Sequence, residues 1–328
     1  MDFRVTDDQA ALREGISDFC EGRLPFETLL ELAEKPLDRG LWSEVAELGI
    51  FSLRIPESDG GLGLGMAEAA LVFAELGRRL VPGPLIWSAL FAAILPDVES
   101  GGRVVTGLDL VRPTSDPLLV EHLVGSDTLI VLEASGVRKI DTSELQATAV
   151  ETPLDPLTPI HLVEALPTGD MIGDAEMVVR LRREGALLAS AMQLGICQAT
   201  LEHATQYALK REQFNRPIGS FQAIKHFLAD MLVRMEQAKA AVYAAAATAD
   251  GRGVDDLDRT IAVAKLLAGE SAHKNARQCI QIYGGMGYVW EMIPHFYLKR
   301  ELVLETVFGT MDEHADRLAE LLAERVAS

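Results

Sequence analysis

Cysteine is scarce in this chain: Cys20, Cys197 and Cys279 are the three present, far apart and without CxxC or metal-ligand spacing. That usage excludes a disulfide scaffold and fits a reducing compartment. Positive charge is short as well, with 30 Lys and Arg against 49 Asp and Glu and a formal charge of −19. A mean field of that sign repels nucleic acid and anionic lipid, so an anionic ligand would need positive contacts supplied locally. Long apolar runs are missing: the most continuous, Leu85 to Leu95, is far short of the ~20 residues that cross a bilayer. The opening segment MDFRVTDDQAALREGISDF carries acids where a secretory leader needs a basic and then an apolar region. The expectation is a cytoplasmic protein. His203, His226, His273, His295 and His314 form no HExxH or paired-ligand spacing, so no metal site is expected. GxSxG, a P-loop and a GxGxxG after a strand are absent too.

What is present reads as three zones, in line with a length of 328 residues and roughly two to three domains. The first, 1–95, is helical with Gly- and Pro-rich breaks. Asp7 and Asp8 precede an apolar-periodic run, Leu41 to Ile50 is amphipathic, and a helix from about Met66 to Arg79 ends before Pro82 and Pro84. The second, 96–174, alternates short β-branched runs (Arg103 to Val111, Thr128 to Glu133, Ile160 to Glu164) with turn residues such as Asp116-Pro117, and reads as a small β domain. The third, 175–328, predicts four long helices: Val178 to Lys210, Pro217 to about Asp250, Leu257 to about Tyr283, and one from Pro294 to the C-terminus. Gly251, Gly253, Asp255 and Asp256 separate the second from the third. Short connections between long helices predict an antiparallel bundle.

Two clusters in the third zone can carry chemistry. In Arg211-Glu212-Gln213-Phe214-Asn215-Arg216-Pro217-Ile218-Gly219-Ser220-Phe221-Gln222, basic residues surround a helix start, where a guanidinium can grip a diphosphate in bidentate fashion. The same segment also reads as a charged interhelical loop. In Gln281-Ile282-Tyr283-Gly284-Gly285-Met286-Gly287-Tyr288, glycines after a helix permit a left-handed cap and a close backbone approach, and equally a plain turn.

Taken together and in order, these segments resemble the acyl-CoA dehydrogenase family over about residues 5–90 and 178–325. Asp7-Asp8-Gln9, Leu48-Gly49, Pro56-Glu57 and Gly60-Gly61-Leu62-Gly63 are similar to its N-terminal helical domain. Arg211, Phe214, Pro217-Ile218 and Phe221-Gln222 resemble its Arg-x-x-Phe-Gly helix–loop–helix, with Asn215 in place of the usual glycine. Gln281 to Gly285 resemble its Gln-Ile-x-Gly-Gly turn. The resemblance implies a mainly α fold with a small β middle domain and a C-terminal four-helix bundle. It also implies FAD, oxidation of an acyl-CoA thioester to the 2,3-enoyl-CoA, and electron-transfer flavoprotein as acceptor. By the same resemblance Arg211, Phe214, Gln222, Gln281, Gly284 and Gly285 reach the adenosine diphosphate half of a flavin held by a neighbouring subunit.

The departures are equally informative. The family's base is the glutamate of a Tyr-Glu-Gly-Thr element 27 residues after the glutamine of the Gly-Gly turn; from Gln281 that spacing reaches Phe308, in Val307-Phe308-Gly309-Thr310. A phenyl ring takes no proton. Some members place the base on the first bundle helix, at the equivalent of Gly185; Glu184 is adjacent, about 100° around a helix from it, and Glu305 lies nearly one turn before Phe308. The middle zone is short and has no counterpart of the family's flavin-ring contacts. Certain bacterial members are similar in being α2β2 tetramers. Their longer subunit brings the base and the flavin-ring contacts, and the shorter completes the pocket; many act on steroid-derived thioesters. The chain resembles that short subunit, inactive alone. Two alternatives stand beside it: a homomeric enzyme with Glu184 as base, and a non-enzymatic module binding acyl-CoA or another protein.

Overall fold

The computed structural model describes residues 6–33, 35, 37–111, 115–253 and 256–327, the side chains of 325–327 apart. Helices α1 (Asp7–Arg23), α2 (Phe26–Leu32), α3 (Arg39–Glu47), α4 (Met66–Arg78) and α5 (Leu85–Phe91) come first. Strands β1 (Val105–Asp109), β2 (Leu118–Glu121), β3 (Thr128–Glu133), β4 (Gly136–Asp141), β5 (Ala147–Ala149), β6 (Ile160–Val163) and β7 (Asp170–Asp174) follow. After α6 (Ala175–Lys210) and a hairpin of β8 (Glu212–Gln213) and β9 (Arg216–Pro217) come α7 (Gln222–Ala249), α8 (Leu257–Tyr283), α9 (Pro294–Thr306) and α10 (Met311–Ala327). The expected class, mainly α with a small β middle region, is the observed one.

Local chemistry explains the element ends. Thr6 and Gln9 close a reciprocal capping box at the start of α1. Asp38 caps α3 and Asp256 caps α8, satisfying amides that have no intrahelical acceptor. Asp255, the other expected cap, lies outside the described residues. Two predicted ends move. Pro217 closes the hairpin as part of β9 and a tight turn at Ile218–Ser220 follows, so α7 opens only at Gln222. The helix expected from Pro294 to the C-terminus is two helices, because Phe308 at φ 54° and Gly309 at φ 113° lie outside helical backbone.

The chain divides into two compact units, each discontinuous in sequence. One comprises Glu27–Ala69 and Pro82–Gly185. Its four-stranded sheet has the order β1-β3-β4-β7, parallel between β1 and β3 and antiparallel elsewhere; a second sheet has the order β2-β6-β5. Leu108, Leu129, Val131 and Ile140 from the first sheet and Val120 and Val163 from the second share one core. Gly107 lies within β1, paired with Ile130, where the Trp87 ring stands in the place of a side chain, 2.3 Å from an added Cβ.

The other unit comprises Met1–Phe26, Ala70–Val81 and Ala186–Ser328. In it α8 packs against α7, α9 and α10. Two glycines allow α4 and α6 to touch backbone to backbone: a Cβ on Gly195 would stand 1.9 Å from the Ala74 carbonyl, and one on Gly77 2.2 Å from that of Met192. Its interior holds polar groups. Gln193 Nε2 donates to Glu301 Oε1 at 3.2 Å, and Lys265 Nζ donates to the Leu304 carbonyl at 2.6 Å. All three side chains are fully buried. Desolvation pushes the Glu301 carboxyl well above the usual range, against the opposing pull of Lys265 and Gln193. The cysteines are buried and free, and burial pushes the Cys20 and Cys279 thiols up to about 12.

Candidate functional site

The first cluster folds as a tight hairpin between α6 and α7. Its two-residue loop, Phe214 and Asn215, has φ values of 54° and 59°. Type I′ hairpin loops require positive φ at both central positions, and asparagine tolerates that region better than other side chains with a Cβ. The exchange of glycine for Asn215 therefore keeps the turn. The hairpin is tied back by Arg211, whose amide donates to the Tyr207 carbonyl and whose carbonyl accepts from Ile218, both at 2.8 Å. Arg216 lies 4.1 Å over the Phe221 ring, and the Phe214 ring meets Phe221 edge-on. Phe214 itself is 86% exposed, a large apolar side chain held outward on a short loop.

The second cluster caps α8. Gly284 adopts φ 62°, ψ −138°, a conformation essentially confined to glycine, and its amide bonds back to the carbonyls of Ile280 and Gln281. No atom lies within 4 Å of where a Cβ would stand on Gly284 or Gly285. The backbone there is open to close approach by another molecule. Gln281 and both glycines are exposed.

The ends of α6 and α8 are held together by a ring stack. Tyr207 and Tyr283 lie 3.9 Å apart at 14°, and both join a cluster with Ala204, Met231, Cys279, Ile282 and Ile218. Tyr207 precedes Arg211 by one helical turn and Tyr283 immediately precedes Gly284. The stack thus brings the two sequence clusters, far apart in the chain, to one end of the bundle unit. Tyr207 has no motif signature, and its pairing with Tyr283 depends on the packing of the two helices. At the start of α7, Gln222 Nε2 lies 3.1 Å from His226 Nε2, and both side chains are exposed.

Phe308 sits in the break between α9 and α10, 3% exposed. His314 Nε2 lies 3.1 Å from its carbonyl oxygen, and a Cβ on Gly309 would meet the His314 ring at 2.6 Å. The Phe308 side chain itself carries no titratable group. Glu305 stands half-buried on α9. In the sheet unit, Glu184 on α6 is engaged by Arg54: Nη1 donates to Oε2 at 2.7 Å, and the Glu184 side chain is 18% exposed. Arg182 pairs with Asp109 at 2.9 Å beside it.

Chemically, the exposed end of the bundle unit offers the Arg211 and Arg216 guanidiniums, side-chain amides that include Gln222 and Gln281, and open glycine backbone. That donor set has the chemistry the adenosine diphosphate half of a flavin calls for: a guanidinium for the diphosphate, side-chain amides for sugar or phosphate, and open glycine backbone for close approach.

Comparison with known proteins bears on the whole chain. Residues 6–99 match the family description "Acyl-CoA dehydrogenase, N-terminal domain" and residues 180–323 match "Acyl-CoA dehydrogenase, C-terminal domain". The chain is similar to the acyl-CoA dehydrogenase IpdE2 of Mycobacterium tuberculosis, 33% identical over 275 residues, 82% of either protein. It is 30% identical over 329 residues to acyl-CoA dehydrogenase FadE34 of the same organism, a match covering 90% of this chain but 45% of that one. Its fold is similar to a chain in the ChsE4–ChsE5 complex of Mycobacterium tuberculosis, with a TM-score of 0.84 at 24% identity and 99% of both chains covered.

Proposed function

Since the chain belongs to the acyl-CoA dehydrogenase family, we propose that it is the baseless subunit of a hetero-oligomeric, FAD-dependent member. In this reading it completes the flavin site of a longer partner that carries the catalytic glutamate, in an α2β2 assembly. The observation that carries the proposal is Phe308, a buried phenyl ring where the 27-residue spacing from Gln281 puts the family's base. The chemistry needs a carboxylate to take the acidic proton beside the thioester carbonyl. The flavin, when bound, accepts the hydride. Neither acid near the two base positions is a good substitute: Glu184 is held by Arg54, and Glu305 lies on the helix before the break.

Arg211, Phe214, Gln222, Gln281, Gly284 and Gly285 would hold the diphosphate, sugar and base of the cofactor. Two further facts support an assembly of unlike subunits. The structural relative named above is a complex of two named components. FadE34 is more than twice the length this chain matches, which leaves room for a second such subunit in one polypeptide. The substrate class is an acyl-CoA, steroid-derived in the subset that the chain resembles, and an electron-transfer flavoprotein is the acceptor.

Purified alone, the chain is expected to be colourless and inactive. Co-purified with its longer partner, it is expected to give a yellow complex with two FAD per four chains by absorbance. Full flavin loading and acyl-CoA oxidation by the lone chain would overturn the proposal.

A further inference from the structure

We infer that Lys265, reaching across from α8, sets where α9 stops and so positions residue 308, whichever side chain stands there. The inference goes beyond the flavin-site reading and does not depend on it. Lys265 is fully buried, and a buried ammonium is costly where an apolar side chain of the same length would fill the same space. What an apolar side chain lacks is a donor. The Lys265 donor has a definite address: Nζ lies 2.6 Å from the Leu304 carbonyl oxygen. An ammonium only donates and a carbonyl only accepts, so the direction of this bond is fixed.

Leu304 is the residue whose carbonyl the Phe308 amide would reach if α9 ran on, since helical bonds join residue i to i−4. Lys265 supplies a donor to that carbonyl from another helix, and the Val307 amide closes on it at 3.3 Å. Val307 then takes φ −75° and ψ 125°, an extended conformation that carries the chain off the helix path. Phe308 follows at φ 54°. Local preference asks for a different stop. Gly309, next in line, takes a left-handed cap without steric cost, whereas a bulky residue in that region is an outlier. The helix ends early, at the carbonyl that Lys265 holds. His314 Nε2 donates to the Phe308 carbonyl at 3.1 Å, and Thr310 and Glu313 cap the start of α10 reciprocally at 2.8 and 3.3 Å. One residue is about 100° of helix, so a later stop would swing the residue 308 side chain away. The turn that aims residue 308 is thus built from α8, and Phe308 occupies it.

The test uses the full chain, with backbone 13C chemical shifts reading the conformation at 308 and 309. The Lys265 charge acts on the buried Glu301 carboxyl, so Lys265→Met is made together with Glu301→Gln, and Glu301→Gln alone is the control. Wild type and the control are expected to keep Phe308 left-handed, at φ near 54°. In the double variant φ at Phe308 should move to about −60° as α9 runs on, with Gly309 taking the left-handed cap. Two milder variants keep Lys265. Phe308→Glu should retain a left-handed residue 308. Val307→Ala, which favours a longer helix, should retain it as well.

A left-handed Phe308 in the folded double variant would overturn the inference, because the groups after the break would then hold the turn without Lys265. So would a helical residue 308 in Val307→Ala or Phe308→Glu, which would place the stop in the local sequence. If the double variant does not fold, those two variants decide.

Discussion

At the scale of single residues, Phe308 and Glu184 illustrate two limits of reading. Phe308 was legible because spacing from the Gly-Gly turn is a property of the covalent chain, and counting 27 from Gln281 needs no coordinates. Glu184 was visible as a candidate, but its partner was not, since Arg54 stands 130 residues away in sequence. If the Arg54 pair is structural, Glu184→Gln should leave turnover of the complex within about 2-fold. It should also lower stability by no more than about 1 kcal/mol, the usual worth of a partly exposed ion pair. Steady-state kinetics and urea denaturation of the variant complex read both, and a turnover loss of orders of magnitude would restore Glu184 as the base. The Gln222–His226 pair lies between these limits: an i, i+4 spacing is legible, while the contact itself depends on rotamers.

At the scale of elements, strong local signals placed boundaries well. The α8 span matches the expected Leu257 to Tyr283, fixed by the Asp256 cap at one end and Gly284 at the other, and β3 is the expected Thr128 to Glu133. Strands β2, β4, β5 and β7 had no such signal. In β4 a register shift between Val137 and Arg138 breaks the period-two pattern, and β5 and β7 have no buried residue at all. The contact of α4 with α6 was illegible too, since a glycine inside a helical pattern does not say what crosses it. Gly195→Ala would force a methyl against the Ala74 carbonyl and the Arg78 amide. It is expected to destabilise by about 1–3 kcal/mol, and more if the helices cannot part. A thermal or urea midpoint equal to wild type would show that the crossing is looser than the geometry says.

At the scale of the whole molecule, the buried acid Glu301 links stability to pH. Its folded carboxyl is raised above the unfolded value of about 4.3, so the folded state binds the extra proton between those two limits. The stability this contributes is complete below the unfolded value and is lost as pH rises through the folded one. Glu301→Gln keeps the shape and removes the proton. The variant should therefore gain on wild type as pH rises above about 5, by up to about 1.4 kcal/mol per pH unit within the window. Urea denaturation across pH 5–9 reads the difference, and a constant gap at every pH would refute it.

The sequence by itself determined the fold class, the family and the address of the local positive charge in an acidic chain. Each is written in periodicity, composition and short-range spacing, which act through neighbours on the chain. The tertiary structure decided what sequence-distant groups meet: the Tyr207–Tyr283 stack that gathers the two clusters, the Arg54 hold on Glu184, and the Gln193–Glu301 contact inside the bundle. The physical reason is that a hydrogen bond, an ion pair or a ring contact is made within a few ångströms of space. Only the packed chain brings residues 76 to 130 positions apart to that distance.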